Sequence, residues 1–426
     1  MIPQPLGSLK IETTTETLTS FAGLPLVGAL FHFLGLDERF DDSLARLKQR
    51  QRGDTPSEVV RSLVLLHLAG GDCLDDLRLL NADEGLKAMV GAVPAPNTVG
   101  TYLHACGHRE IATLARSVTD VGISLLADQT EAVVDFDSSL IQADKRDAKK
   151  TYKGFRGYNP LLAFVHGAEL VLAGLFRDGN ASPASHALSF LRRALTGLPA
   201  QIEQMTIRSD SAWYRSDILD DCHQHGIRFT VTVDKTRAMI QTIRRWSDWQ
   251  RLDPSDLEAG EVAETSYVVG RDPQSSAYRL VVLRTWRQQG DLEEGAYFYH
   301  GIITNLDEGS AAEVLQFHRG RGDAENRFKE LKGGLGMDTM PCGDLLANAA
   351  YFQTILLAYH LLQHLNVDAL PDTWRPLTVK SWRFRLFRIA GRVVRHARQW
   401  VLKLPERYPF FDVFAHAFWE VRYATL

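Results

Sequence analysis

Cysteine is scarce in this 426-residue chain: Cys73, Cys106, Cys222 and Cys342 lie far apart and form no C-x-x-C pair. That spacing excludes a disulfide-stapled scaffold and points to a reducing cytoplasm. The runs His104-Ala-Cys106-Gly-His108 and Cys222-His223-Gln-His225 have no second pair at finger spacing, so neither reads as a zinc site. The apolar stretch FAGLPLVGALFHFLGL at 21–36 is broken by Pro25 and His32. It falls short of the ~20 residues of a membrane span and reads as a buried core helix, and no membrane partner is expected. No basic segment precedes it, so a signal peptide is not expected. Low-complexity tracts are missing, and so is any large excess of one charge. The net value of −4 argues against a histone-like binder. The average hides an asymmetry, because Trp374–Arg407 holds ten Lys or Arg against Glu406 alone, a local +9 that leaves the rest near −13. Such a tail puts a polyanion among the partners.

What is present is a change of period along the chain. From about Leu18 to Leu125 the pattern is helical, with Asp54-Thr55-Pro56-Ser57-Glu58 as a start signal before VVRSLVLLHLAGG. Asn97 after Pro96 can cap a short helix, which could be a recognition helix or one more member of a bundle. AVVDFDSSLI, LLAFVHG, ELVLAGLF, MTIRSD and RFTVTVD then have strand length and alternate with helical stretches, as in an α/β domain. A helix over IRRWSDWQRL and the strand candidates ETSYVVG, YRLVVLRTW and AYFYHGIITNL suggest a β-rich insertion. Residues 308–334 read as one long helix, LLANAAYFQTILLAYHLLQHL as an apolar one, and Arg385, Arg388, Arg392 and Arg395 as the basic stripe of an amphipathic helix.

Two acidic motifs end apolar runs. In VVDFDSS, Asp135 and Asp137 share one face of a strand. Such neighbours repel unless a cation sits beside them, and Mg²⁺ suits one or two carboxylates with waters and phosphate oxygens. The same residues fit a phosphatase of the haloacid dehalogenase type, with Asp135 as nucleophile and Asp137 as general acid. The second motif, Arg208-Ser209-Asp210-Ser211, places Asp210 where α/β sheets present ligand-binding groups, although Asp and Ser also cap helices. The stretch HRGRGDAENRFKELK favours the Mg²⁺-dependent reading, that of a nuclease or transposase: His318, Arg321, Glu325 and Lys332 at offsets 0, 3, 7 and 14 lie near one helical stripe. A glutamate so flanked can bind a metal while its cationic neighbours grip phosphates. The phosphatase reading lacks a downstream G-D-x3-D and leaves this stripe unused.

That stretch resembles the Y-x2-R-x3-E-x6-K signature of DDE transposases, with His318 where the signature has tyrosine. Asp137-Ser138-Ser139 is similar to their D-[GS]-[ST] segment, RSDSAWY to R-x-D-S-[GA], and KGFRGYNPLLAF to a G-x-x-x-Y-x-P-L-L stretch. The intervals of 73 residues from Asp137 to Asp210 and 115 from Asp210 to Glu325 match an insertion before the third acid. The likeness is nearest to bacterial insertion-sequence family 1380.

The resemblance implies an α/β fold with an RNase H-like core in two parts, 126–235 and 301–366, separated by the β-rich insertion 236–300. A helical DNA-binding and dimerisation region, 1–125, would precede it and a basic helical region, 367–426, would follow. It implies Asp137, Asp210 and Glu325 as catalytic metal ligands, with Asp135 as a neighbour or alternative ligand. Arg321, Lys332 and His318 would contact DNA, joined by Arg385, Arg388, Arg392 and Arg395 on the backbone. Two Mg²⁺ ions, or Mn²⁺ in their place, would sit about 3.5–4 Å apart. The partners implied are double-stranded DNA, as terminal inverted repeats and target, and a second copy of the chain in synapsis, in a nucleoid-associated cytoplasmic setting. A transposase-derived DNA-binding protein without catalysis is the alternative. Trp246, Trp249 and Trp286 could stack on a flipped base, although core packing is the commoner use of tryptophan.

Overall fold

Runs rich in Val, Ile, Leu and Phe between Glu131 and Thr304 form one nine-stranded mixed sheet whose central strands are buried on both faces. The computed structural model describes residues 9–48, 52–126, 129–182, 184–252, 260–270, 276–288 and 295–423. Eight of the strands are β1 (Glu131–Ser138), β2 (Leu161–Val165), β3 (Leu170–Leu175), β4 (Gln204–Ser209), β5 (Arg228–Thr232), β6 (Glu261–Val268), β7 (Ala277–Gln288) and β8 (Gly295–Thr304). Across the sheet the order is Gln250–Arg251, β6, β7, β8, β5, β4, β1, β2, β3. Strands β1, β4 and β5 are parallel; β2 runs antiparallel to β1, β3 antiparallel to β2, and β8 lies antiparallel to β5.

The described residues divide into two compact units, one drawn from Met1–Val99 with Leu365–Leu426 and the other from Gly100–His364. The sheet belongs to the second. Strand β1 shows why its chemistry is one-sided. Ala132, Val134 and Phe136 enter the core, where Phe136 packs 4.6 Å from Trp213 and 6.0 Å from Phe190 between ring centroids. The alternate residues Asp135 and Asp137 therefore emerge together on the opposite face. All five residues of β2 are buried, as expected of a strand covered on both sides. The insertion is continuous with the core sheet: β8 pairs with β7 along its length, while its last three residues also pair with Thr230–Thr232 of β5.

The helix Leu345–His364 is buried along nearly its whole length. By length and composition it could cross a membrane, but interior packing accounts for its apolarity. His360 on this helix is buried with both ring nitrogens engaged, by Val118 O at 2.9 Å and Val171 N at 3.0 Å. The helix His108–Ile123 packs in the same unit and bonds the sheet through Thr119 Oγ1 to Leu172 O.

In the other unit, the Leu24–Phe33 helix accommodates Pro25 in its first turn and buries Leu24, Leu26, Val27, Leu30 and Phe31. Thr55 and Glu58 form the capping box that starts Pro56–Ala69. The C-terminal stretch departs from the expected basic helix. Val379–Trp382 is helical and Arg383–Phe387 a π turn, but β9 (Gly391–His396) and β10 (Gln399–Lys403) then form an antiparallel hairpin. The β-branched pair Val393-Val394 favours a strand, and Val393 is buried opposite Leu402. Gly391 allows the chain to pass so close that a Cβ there would lie 2.8 Å from Leu402 and 3.0 Å from Ala22. Arg385, Arg388, Arg392 and Arg395 thus do not share a helical stripe. The helix expected over IRRWSDWQRL does not form: the helical residues are Arg237–Ile243 just before it, Trp246 and Trp249 follow without regular structure, and Gln250–Arg251 is an edge strand.

The hairpin turns through Ala397 and Arg398, both left-handed with φ of 48° and 67°. Residues with a Cβ are disfavoured there by about 1–2 kcal/mol each, whereas glycine is not. Arg398→Gly should therefore raise stability in urea titrations by about 1 kcal/mol, part of the relief being lost to glycine entropy. An unchanged or lowered midpoint would contradict a left-handed turn.

Candidate active site

The parallel register of β1 and β4 sets two acids side by side. Asp135 stands opposite Arg208 and Phe136 opposite Ser209, so Asp137 and Asp210 continue the pairing at the carboxyl ends of the strands. Asp210 leaves β4 in extended conformation and caps the following turn by accepting from Ala212 N at 3.0 Å. The capping role and the chemical one fall on the same side chain. Asp137 accepts from Ser138 N at 2.8 Å and from Arg321 Nη1 at 3.4 Å.

Asp135 is not available as a metal ligand or as a nucleophile. It is fully buried, and Arg208 donates to both its oxygens, from Nε at 2.7 Å and Nη2 at 2.9 Å. The cation required beside paired aspartates is thus this guanidinium. Arg208 uses its remaining terminal nitrogen to donate to Phe317 O at 2.7 Å. It reaches that carbonyl past Gly320, where a Cβ would come within 2.3 Å of Nη1. One guanidinium therefore joins β1, β4 and the segment that carries Glu325. The phosphatase alternative fails here, since its nucleophile would be sealed in an ion pair.

The 308–334 stretch is helical but not one uniform helix. It runs Ala311–Arg319 as α, Gly320–Gly322 as 3₁₀, Asp323–Lys329 as α and Glu330–Gly334 as π. Three residues turning about 120° each instead of 100° rotate the later part by about 60°. The stripe expected from offsets 0, 3, 7 and 14 is split accordingly. His318 faces inward and is buried, with Thr230 Oγ1 at 2.8 Å from Nδ1 and Thr232 Oγ1 at 2.9 Å from Nε2. Burial, with His300, Arg321 and Arg208 near it, lowers its pKa to about 3. A neutral imidazole with both nitrogens occupied has no N–H for a phosphate, which corrects the expected DNA contact. Glu325 lies on the exposed side. The same helix is anchored from behind by Arg327, which is buried, bonds both oxygens of Glu169 at 3.2 and 3.3 Å, and lies 5.7 Å from the Phe164 ring centre. Lys332 donates to Leu140 O at 2.7 Å and lies 3.8 Å from Asp338, so its amine also braces the loop after β1.

The three acids act on one another. Burial raises the Asp137 carboxyl to about 6, Arg321 opposes the rise, and Asp210 and Glu325 add to it. This is the electrostatic mark of a site short of positive charge. Among the described residues, no three Asp, Glu, His or Cys side chains close on a common point. Like-charged carboxylates without a counter-ion repel, and Arg321 takes one oxygen of Asp137. The oxygen-only donor set suits a hard divalent cation.

Elsewhere, Arg284 lies between two rings of the insertion, 4.1 Å from Trp249 and 4.5 Å from Tyr297. Trp246 and Trp249 pack against the core, while Trp286 is exposed beside Tyr297. Of the tail arginines, Arg385 lies over Phe410, Arg392 pairs with Glu16 at 2.9 Å, Arg395 lies over Trp400, and Arg388 is exposed. Sequence reasoning assigned no role to Arg208. The signal was the repeated spacing: Asp135 precedes Asp137 by two and Arg208 precedes Asp210 by two, so adjacent parallel strands pair acid with base one level below the site.

An α/β sheet presenting two aspartates and a helix-borne glutamate is consistent with what comparison shows: the chain belongs to the DDE transposases. The family described as transposase DDE domain, group 1, matches residues 6–425, almost the whole chain. Its substrate is therefore DNA. Comparison with curated proteins finds no match.

The two aspartates of β1 should respond differently to amidation. Asp135→Asn leaves the buried Arg208 charge uncompensated and should cost about 3 kcal/mol or more in urea denaturation, whereas Asp137→Asn should cost less than about 1 kcal/mol. Equal losses would overturn the division of roles. His318 generates a pH effect. Its folded pKa, about 3, lies below the unfolded value near 6.5, so unfolded chains bind the proton first and stability is lost as pH falls through that window. Relative to pH 7.5, the stability gap between the parent and His318→Gln should narrow by about 2 kcal/mol at pH 5. A gap independent of pH would mean that the imidazole protonates freely.

Proposed function

We propose that this protein is the transposase of a bacterial insertion sequence of family 1380, cutting and joining DNA at an RNase H-like site. The observation that carries the reading is the pairing of Asp137 and Asp210 at the carboxyl ends of adjacent parallel strands, with Arg321, one helical turn before Glu325, bonded to Asp137. The strand order supports an RNase H-like core: an antiparallel β1–β2–β3 meander flanked by parallel β4 and β5. Asp137, Asp210 and Glu325 would hold divalent cations, with Mg²⁺ preferred, Mn²⁺ as a substitute and two ions per site. Bound there, such ions activate the attacking oxygen and stabilise the leaving one.

The chain's own groups do the rest. Arg321, which donates to Asp137 at 3.4 Å, would offer its guanidinium to a phosphate oxygen beside that carboxylate. Lys332 keeps the loop after β1 against the helical segment and presents its remaining N–H groups to a backbone. The hairpin β9–β10, with Arg388, Arg392, Arg395 and Lys403, offers basic groups for DNA backbone contacts that carry no sequence information. Two ends of an element must be held together for joining, so a second copy of the chain is required in synapsis.

Glu325→Gln should reduce Mg²⁺-dependent nicking of a plasmid carrying the DNA that flanks this reading frame by more than about a hundredfold, beyond the loss typical of outer-shell changes. Binding of the same DNA in EDTA should persist. Retained cleavage would refute the assignment of the third acid.

A further inference from the structure

A cavity of about 340 Å³ opens on the insertion side of the site, lined by Lys235, Leu283, Thr285, Arg287, Phe298, Tyr299, His300 and Arg319. Its floor is one face of the β7–β8 ribbon, since register sets Leu283 opposite His300 and Thr285 opposite Phe298, with Arg287 two residues further along that face. The opposite face holds the Arg284 stack on Trp249 and Tyr297, so the ribbon keeps an aromatic side and a basic one. Lys235, just after β5, and Arg319, ending the Ala311–Arg319 helix, form the walls. Three permanent cations and an imidazole line the space, and among the described residues no carboxylate does. Their convergence is independently visible at His300, whose pKa is lowered by burial and then by Lys235, Arg319 and Arg321. The His300 ring lies 6.1 Å from that of His318, and Arg319 is two residues from Arg321, which bonds Asp137.

We propose that Lys235, Arg287, Arg319 and His300 form a second phosphate-binding subsite that holds the sugar-phosphate backbone of the DNA strand next to the reacting phosphate. Cations without carboxylates select an anion, and the exposed Phe298 ring, with Arg287 5.2 Å above its centre, gives the sugar an apolar wall. Thr285 can donate a further hydrogen bond. The subsite rests on the DNA-cutting function proposed above and adds to it the residues that fix the strand's path across the insertion.

The test uses the full chain and a labelled duplex of the DNA flanking the reading frame, in EDTA so that no cutting occurs. Lys235→Gln/Arg287→Gln/Arg319→Gln should weaken binding about tenfold near 0.1 M salt and reduce the slope of log affinity against log salt by about one to two, at about 0.9 for each phosphate that is no longer neutralised. Replacing single phosphates with uncharged methylphosphonates should weaken parent binding at one or two adjacent positions to which the triple variant is indifferent. Unchanged circular dichroism and urea midpoint establish that the variant is folded; if it is not, Arg287→Gln alone should give the same position-specific indifference. An unchanged slope, or the same methylphosphonate profile in parent and variant, would overturn the subsite while leaving the proposed function intact. Failure of the parent itself to bind the duplex would overturn both.

Discussion

The bidentate pair between Asp135 and Arg208 is the constraint from which the rest of the site follows. Both groups are essentially withdrawn from water. Burying two ions is costly, and such a pair is often no more stabilising than well-packed apolar residues. Its value lies in what the third branch of the guanidinium does: by donating to Phe317 O it ties the Glu325-bearing segment to the two strands that end in Asp137 and Asp210. Three acids more than seventy residues apart in sequence are thereby referred to one buried planar group. Gly320 belongs to the same device, because any side chain there would collide with it.

Above this neutralised level the site is left unbalanced. Burial, with two other acids nearby, disfavours the charge of Asp137, and Arg321 and the Ser138 N–H offset this only in part. The surrounding histidines contribute no charge of their own. His318 is held neutral between two threonines of β5, and its position where the family signature has tyrosine makes it a spacer between the sheet and the helical segment.

The insertion is not a separate appendage. Strand β8 pairs with β7 along its length and, on its other edge, with β5 through its last three residues, so the ribbon's orientation relative to the core strands is set by backbone hydrogen bonds. Its aromatic residues are spent mainly on closing one face around Arg284, which accounts for Trp249 without invoking a base. The other face, walled by Arg319, remains open.

Much of this was legible in the order of residues. Period-two alternation put Asp135 and Asp137 on one face, and apolar runs marked β1, β2, β4 and β5, because strand geometry is written locally. The motif spacing likewise singled out Asp210, Glu325 and Arg321. Helical offsets failed at 318–332, since a 3₁₀ turn at Gly320–Gly322 rotates the stripe, and the guanidinium packed against Gly320 belongs to Arg208, over a hundred positions away. The arginines of 385–395 misled for a related reason: at spacings of three and four they fit a helix, yet pairing with β10 and with Leu18–Thr19 decided for a hairpin. Sequence alone therefore determined that Asp135 and Asp137 share one face of β1 and that a further aspartate ends a second strand at Asp210. Only the tertiary structure decided which aspartate is sealed by arginine and which is left open to a cation, because that choice depends on a long-range ion pair and on burial that no local pattern encodes.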